Sequence, residues 1–200
     1  MVTNTIIIPL KRFTIILFVG FINACSLINT DIKTVNLQVL VDEPDRIRFS
    51  GKGAGAGMMM MSSMGPTGIA IGVAIDEGIS KSIAETANTN HIDFSELIKK
   101  DFLEKLNRYN QLNTGKQAIT EAKLHIKRYG FIVGGGNDEP TTSEYIISYQ
   151  LGNEAKWQEF HFPKQFNTEQ VLLTQPLDKV KKDKLAIQLL IENGLTHFSL

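Results

Sequence analysis

Residues 51–87 read GKGAGAGMMMMSSMGPTGIAIGVAIDEGISKSIAETA, and the arrangement of the whole chain turns on this stretch. Between Lys52 and Asp76 no side chain is charged, a length at which a membrane span has to be considered. The composition argues against a span. Glycines, Ser62, Ser63 and Pro66 dilute the apolar content and interrupt any single continuous helix. Residues 51–65 read as a flexible, Met-loaded lead-in. Pro66 then suits the first turn of a helix, where its missing N–H is unpaired in any case. Along that helix Ile71, Ile75, Ile79 and Ile83 recur every four residues, while Gly68, Ala70, Gly72 and Ala74 offer small surfaces to another backbone. Asp76, Glu77, Lys81 and Glu85 lie off that stripe, so its expected partner is a sheet rather than lipid.

At the start of the chain, Lys11 and Arg12 precede the apolar run 13–22, followed by Asn23, Ala24 and Cys25. This is a secretory signal layout, and the run is shorter than the roughly 20 residues of a spanning helix. Ile22-Asn23-Ala24-Cys25 resembles the lipobox of bacterial lipoproteins, with Asn23 where members usually carry Ala, Ser or Thr. The resemblance covers about the first 25 residues. It implies diacylglycerol transfer to the Cys25 thiol, cleavage before it, and a signal peptide spanning 1–24. Ser26, a non-Asp residue after the Cys, is similar to the outer-membrane sorting pattern, which implies a periplasm-facing domain. A lipid anchor of several acyl chains holds the membrane without the polypeptide entering it. Cys25 is the only cysteine, so no internal disulfide is possible.

Basic and acidic residues balance at 21 each. Lys11 and Arg12 are the only charged residues in 1–24, so 19 basic side chains remain after cleavage against the same 21 acidic ones, a formal charge of −2. Such a balance supplies no electrostatic reason for nucleic acid to be the partner. The remainder suits a short tether, 25–33, and one domain, 34–200, with the Gly/Met-rich segment at 51–65 inside it.

In that domain Val35, Leu37, Val39 and Val41 alternate as a strand with one buried face, and 46–50 reads as a second short strand. Asp93 with Glu96 three residues on forms a capping-box pattern. It opens a helix whose stripe is Phe94, Ile98, Phe102 and Leu106 and which ends near Asn110. From Ala118 the period is two, giving three strands at 118–133, 144–151 and 156–162 as a meander. Asn167 and Gln170 are candidate caps of a short turn. A final helix is expected over 177–193, stopped by Gly194, with a small strand at 195–200. The order implies α+β, an antiparallel sheet packed against helices. In architecture alone it resembles envelope lipoproteins such as the auxiliary lipoproteins of lipid-transport ABC systems and the curli-secretion lipoprotein, and no functional residue carries over from that likeness.

Chemistry-bearing patterns are sparse. Gly51, Gly53, Gly55 and Gly57 lack both the Lys-Ser/Thr of a P-loop and the G-x-G-x-x-G spacing, so no nucleotide cofactor is expected. Met58, Met61 and Met64 are soft thioethers of the kind that bind Cu(I), but adaptable apolar packing explains them as well and no metal site is expected. His91, His125, His161 and His197 show no metal-ligand spacing, and no serine sits in a nucleophile elbow. The expected function is a non-enzymatic binding or structural role for a lipid-anchored envelope lipoprotein, with a membrane anchor on Cys25 and a protein partner in the envelope. The alternative is an oligomeric, membrane-inserting or secretion-associated lipoprotein that uses residues 51–75.

Overall fold

The computed structural model describes residues 35–113, 117–134, 139–164 and 172–200. The signal-type segment, Cys25, Asn167 and Gln170 lie outside them. The chain runs β1 (Asn36–Val41), β2 (Arg48–Ser50), α1 (Lys52–Met64), α2 (Pro66–Thr89), α3 (Phe94–Leu112), β3 (Glu121–Val133), β4 (Pro140–Leu151), β5 (Gln158–Phe162), β6 (Gln175–Pro176), α4 (Leu177–Val180) and α5 (Lys184–Thr196). The class is α+β.

β3, β4 and β5 form the antiparallel meander that their alternation predicts. The sheet as a whole is mixed, because β1 and β2 both join β3 in parallel. β1 lies beside the first half of β3, with Asn36 opposite Glu121. β2 lies beside its last part, with Ser50 opposite Ile132. Both occupy the edge of β3 that β4 leaves open, so the chain arrives at one end of β3 and enters α1 at the other. The β3–β4 register shifts between Ile126 and Arg128. Lys127-Arg128, two adjacent basic residues where the alternation calls for one, is the sequence trace of that bulge.

One sheet face carries Leu124, Ile126, Tyr129, Phe131, Tyr145, Ile147, Tyr149, Phe160 and Phe162, and it is closed by the apolar stripes of α2, α3 and α5. Aromatic pairs tie the layers together. Phe94 stacks on Tyr129 at 5.3 Å between centroids, and Phe198 meets Tyr149 edge-on at 5.3 Å. Tyr145, fully enclosed, donates to Ile191 O at 3.1 Å, and burial pushes its phenol well above the ordinary value. α3 begins as the capping pattern requires, with the Asp93 carboxylate accepting from Glu96 N at 3.1 Å.

Four expectations need correction. Residues 52–64 form a helix rather than a flexible lead-in, because α1 packs against α2 and tertiary contact overrides the poor helix propensity of glycine. The predicted helix over 177–193 is two: Asp183 N bonds back to Lys179 O at 2.8 Å, and the Asp183 carboxylate then accepts from Leu185 N at 2.8 Å to start α5. Gly194 lies within α5 rather than capping it. A Cβ there would fall 2.6 Å from Tyr145 Cε2, so the glycine lets helix and sheet approach closely. Residues 197–200 form no strand; Phe198 turns into the core instead.

The Ile stripe of α2 divides. Ile79, Ile83 and Ala87 are buried in the core, whereas Ile71 and Ile75 are only partly covered and Ile69 and Val73 are exposed. Ile83→Ala should therefore cost roughly 2–5 kcal/mol in urea unfolding and Ile71→Ala clearly less. Gly194→Ala should cost about 1–3 kcal/mol by overpacking.

A second expectation concerns pH. Burial alone would raise the Asp93 carboxyl, but hydrogen bonds from Ser95 Oγ and from the Glu96 and Ser95 N–H groups hold it below the usual carboxylate range. Its capping contribution is then complete above the unfolded value of about 3.9 and is lost as pH falls through the lower folded value. Asp93→Ala should destabilise by about 0.5–2 kcal/mol at neutral pH. The gap between variant and wild type should narrow in acid unfolding curves below about pH 3.9.

Candidate functional site

α1 and α2 form a helical hairpin about 20 Å long on the α1 arm, from 13 residues at the α-helical rise. Its two arms meet at backbone level. A Cβ on Gly57 would lie 3.2 Å from Gly68 O, one on Gly68 would lie 2.6 Å from Met61 N, and one on Gly53 would overlap Gly72 O. Gly53, Gly57, Gly68 and Gly72 are buried for this reason, while Gly55 faces open space. Between the lead-in glycines, then, two hold the hairpin together.

The base is pinned by polar contacts. α1 has no side-chain cap of its own, and the Asp76 carboxylate from α2 accepts from Gly53 N at 2.6 Å and Gly51 N at 3.3 Å. It thus satisfies donors that a helix start leaves unpaired and places negative charge at the positive end of the α1 dipole. Gly51 adopts φ +117°, which admits little but glycine, and a Cβ there would strike Val133. Lys52 pairs with Glu139 at 2.6 Å, Arg46 with Glu77, and the Ser80 hydroxyl donates to Ile47 O. The guanidinium of Arg48, hydrogen-bonded to Glu43, holds that carboxyl below its ordinary value.

Above this collar charge stops. From Gly53 to Ile75 every side chain is neutral, and the surface is apolar on several sides: Met58 is 71% exposed, Met59 80%, Ile69 51% and Val73 58%. An open groove of about 330 Å³ runs along one side, floored by Gly53, Gly57 and Gly72 and walled by Met58, Met61, Ile69 and Val73. Two of the arm's three hydroxyls turn inward to the helix, and the third, Thr67, is exposed at the tip. Ser62 Oγ donates to Met59 O at 2.8 Å and Ser63 Oγ to Met60 O at 3.2 Å. At the tip Gly65 N donates to Met61 O at 2.9 Å and Gly68 N to Gly65 O at 3.0 Å. No helix among the described residues is long and apolar enough to cross a membrane.

The structure does not bring the histidines together. His125 Nε2 lies 2.7 Å from Asp42, His161 Nε2 is 4.0 Å from Glu144, His197 stacks on Phe162, and His91 sits with φ +54° in the turn between α2 and α3. Among the described residues no three His, Cys, Asp or Glu side chains are placed to hold a metal ion. A polar cavity of about 360 Å³ lies beside His91, lined by Asp45, Asn88, Asp93 and Tyr129. Burial and the neighbouring carboxylates push the Tyr129 phenol up to about 12, and its hydroxyl donates to Pro44 O. It is no base at neutral pH.

Two features escaped the sequence reading. Asp76 was legible only as the first charge after a long neutral run, not as the pin of a helix 23 residues earlier in the chain. The other is Arg128 Nη2 at 2.9 Å from Glu144 Oε2, with the Glu144 side chain only 9% exposed. Its signal is the broken alternation at Lys127-Arg128.

The glycine contacts make a differential prediction. Gly53→Ala or Gly72→Ala should separate the hairpin arms and speed amide hydrogen exchange in α1. Gly55→Ala should leave exchange unchanged or slow it, with up to about 1 kcal/mol of added helix stability.

The chain matches no family model, no curated protein sequence and no solved structure, so its function has to be read from its own residues.

Proposed function

We propose that this chain is a lipid-anchored envelope lipoprotein, acylated at Cys25 and held at the outer membrane facing the periplasm, whose domain has a non-enzymatic binding role exercised through the α1–α2 hairpin. One observation carries the binding role: residues 53–75 form a largely exposed, uncharged arm that touches the core only at its base, where Ile75 packs on it; the anchor rests on the lipobox resemblance at Ile22-Asn23-Ala24-Cys25. Exposed apolar surface of this extent marks an interaction site in a folded protein. The polar groups support binding over catalysis. The Tyr129 phenol stays protonated, the Asp93 carboxylate is engaged in a helix cap, and each histidine keeps a separate neighbourhood.

Two measurements test it. In cells, a photo-crosslinking residue in place of Met59 should give adducts, to protein or to lipid, that the same residue in place of Lys100, exposed on α3, does not. Metabolic labelling with a fatty acid should mark the wild type and leave Cys25→Ala unlabelled. No adduct at Met59 would remove the hairpin as the working element, and equal label in both chains would remove the anchor.

A further inference from the structure

We infer that the partner of the α1–α2 hairpin is the acyl region of a lipid leaflet, into which the neutral tip inserts down to the charged collar. The inference rests on the hairpin being the working element and goes on to say what it meets. The charge pattern fits this occupant. Lys52, Asp76 and Glu77 ring the base, paired with Glu139, the α1 N-terminus and Arg46, and beyond them the arm presents nothing that acyl chains would have to desolvate as an ion.

The shape of the apolar surface points the same way. Met58 and Met59 are adjacent, about 100° apart around α1, and both are strongly exposed. Ile69 and Val73 add the surface of α2. A helix pair docking on a protein needs one apolar face and keeps the others wet, whereas an arm that is apolar on several sides is matched to a surrounding apolar solvent. Residues 53–75 also contain no Trp, Tyr or Arg, the side chains that anchor protein interfaces.

The third argument is hydrogen bonding. Lipid offers no partners, so polar groups entering it must be satisfied from within. Ser62 and Ser63 bond to carbonyls of their own helix, Gly65 and Gly68 close the turn on themselves, and Pro66 brings no N–H to the tip, which leaves the exposed Thr67 as the one hydroxyl of the arm for the headgroup or acyl region to accommodate. An arm about 20 Å long falls short of the roughly 30 Å hydrocarbon core, so it does not cross, and a tilt of about 40° from the bilayer normal keeps it within the roughly 15 Å of one leaflet.

Full-length chain carrying Cys25→Ser has no other cysteine, so a single environment-sensitive fluorophore can be placed by Met59→Cys or by Lys100→Cys. With vesicles of phosphatidylethanolamine and phosphatidylglycerol, the Met59 probe should shift to the blue and be quenched by nitroxides on the acyl chains, and the Lys100 probe should do neither. Val73→Lys added to the Met59 probe should cut the shielded fraction roughly tenfold or more while helical content stays unchanged. A Met59 probe that remains aqueous on vesicles overturns the lipid assignment, whether or not the protein sediments with them. Shielding that needs no vesicles and grows with protein concentration overturns it in favour of a second copy. In either case in-cell adducts at Met59 would leave the hairpin as the binding element, and their absence would remove that as well.

Discussion

A helix is stiff over its whole length, and α2 belongs to two environments at once. Its lower part is fixed by Ile79, Ile83 and Ala87 in the core and by the Ser80 bond to Ile47. Its upper part therefore has no choice of direction, and α1, held to it by glycine contacts, follows. The core sets where the arm points, and the arm contributes little to the core. This one-way dependence explains how a segment without charged residues coexists with an otherwise ordinary domain: its exposure is imposed by packing some 10 residues away along the same rod.

The parts of this fold that were legible from sequence are those in which one residue pattern has one physical solution. Period-two alternation in β3, β4 and β5, the Asp93 cap and the stripe of α3 each follow from local chemistry. The parts that were not legible depend on partners distant in the chain. Glycines at 51–57 signal freedom when read alone, and become tight packing only because Gly68 and Gly72 stand opposite. Gly194 reads as a stop signal until Tyr145 and Ser143 are placed against it. The parallel pairing of β1 and β2 is likewise invisible locally, since an alternating strand carries no mark of its neighbour's direction.

The same division holds for the site. The neutral run and the charges that end it could be read from residues 52–76, and so could the thioethers. The single buried face expected for Ile71, Ile75, Ile79 and Ile83 is complete only at the last two, because the spacing is identical along a stripe that leaves the core halfway. The thioethers of Met58 and Met61 wall a groove, and their flexible, polarizable chains suit contact with a disordered neighbour better than with a rigid one.

The parallel strands also make β3 a ruler. Asn36 sits opposite Glu121 and Ser50 opposite Ile132, so the start of β1 and the root of the hairpin are separated by about 36 Å of strand at ~3.3 Å per residue. Entry and arm are thus set at opposite ends of one strand, and because an extended strand can barely lengthen, their separation is as fixed as the sheet itself.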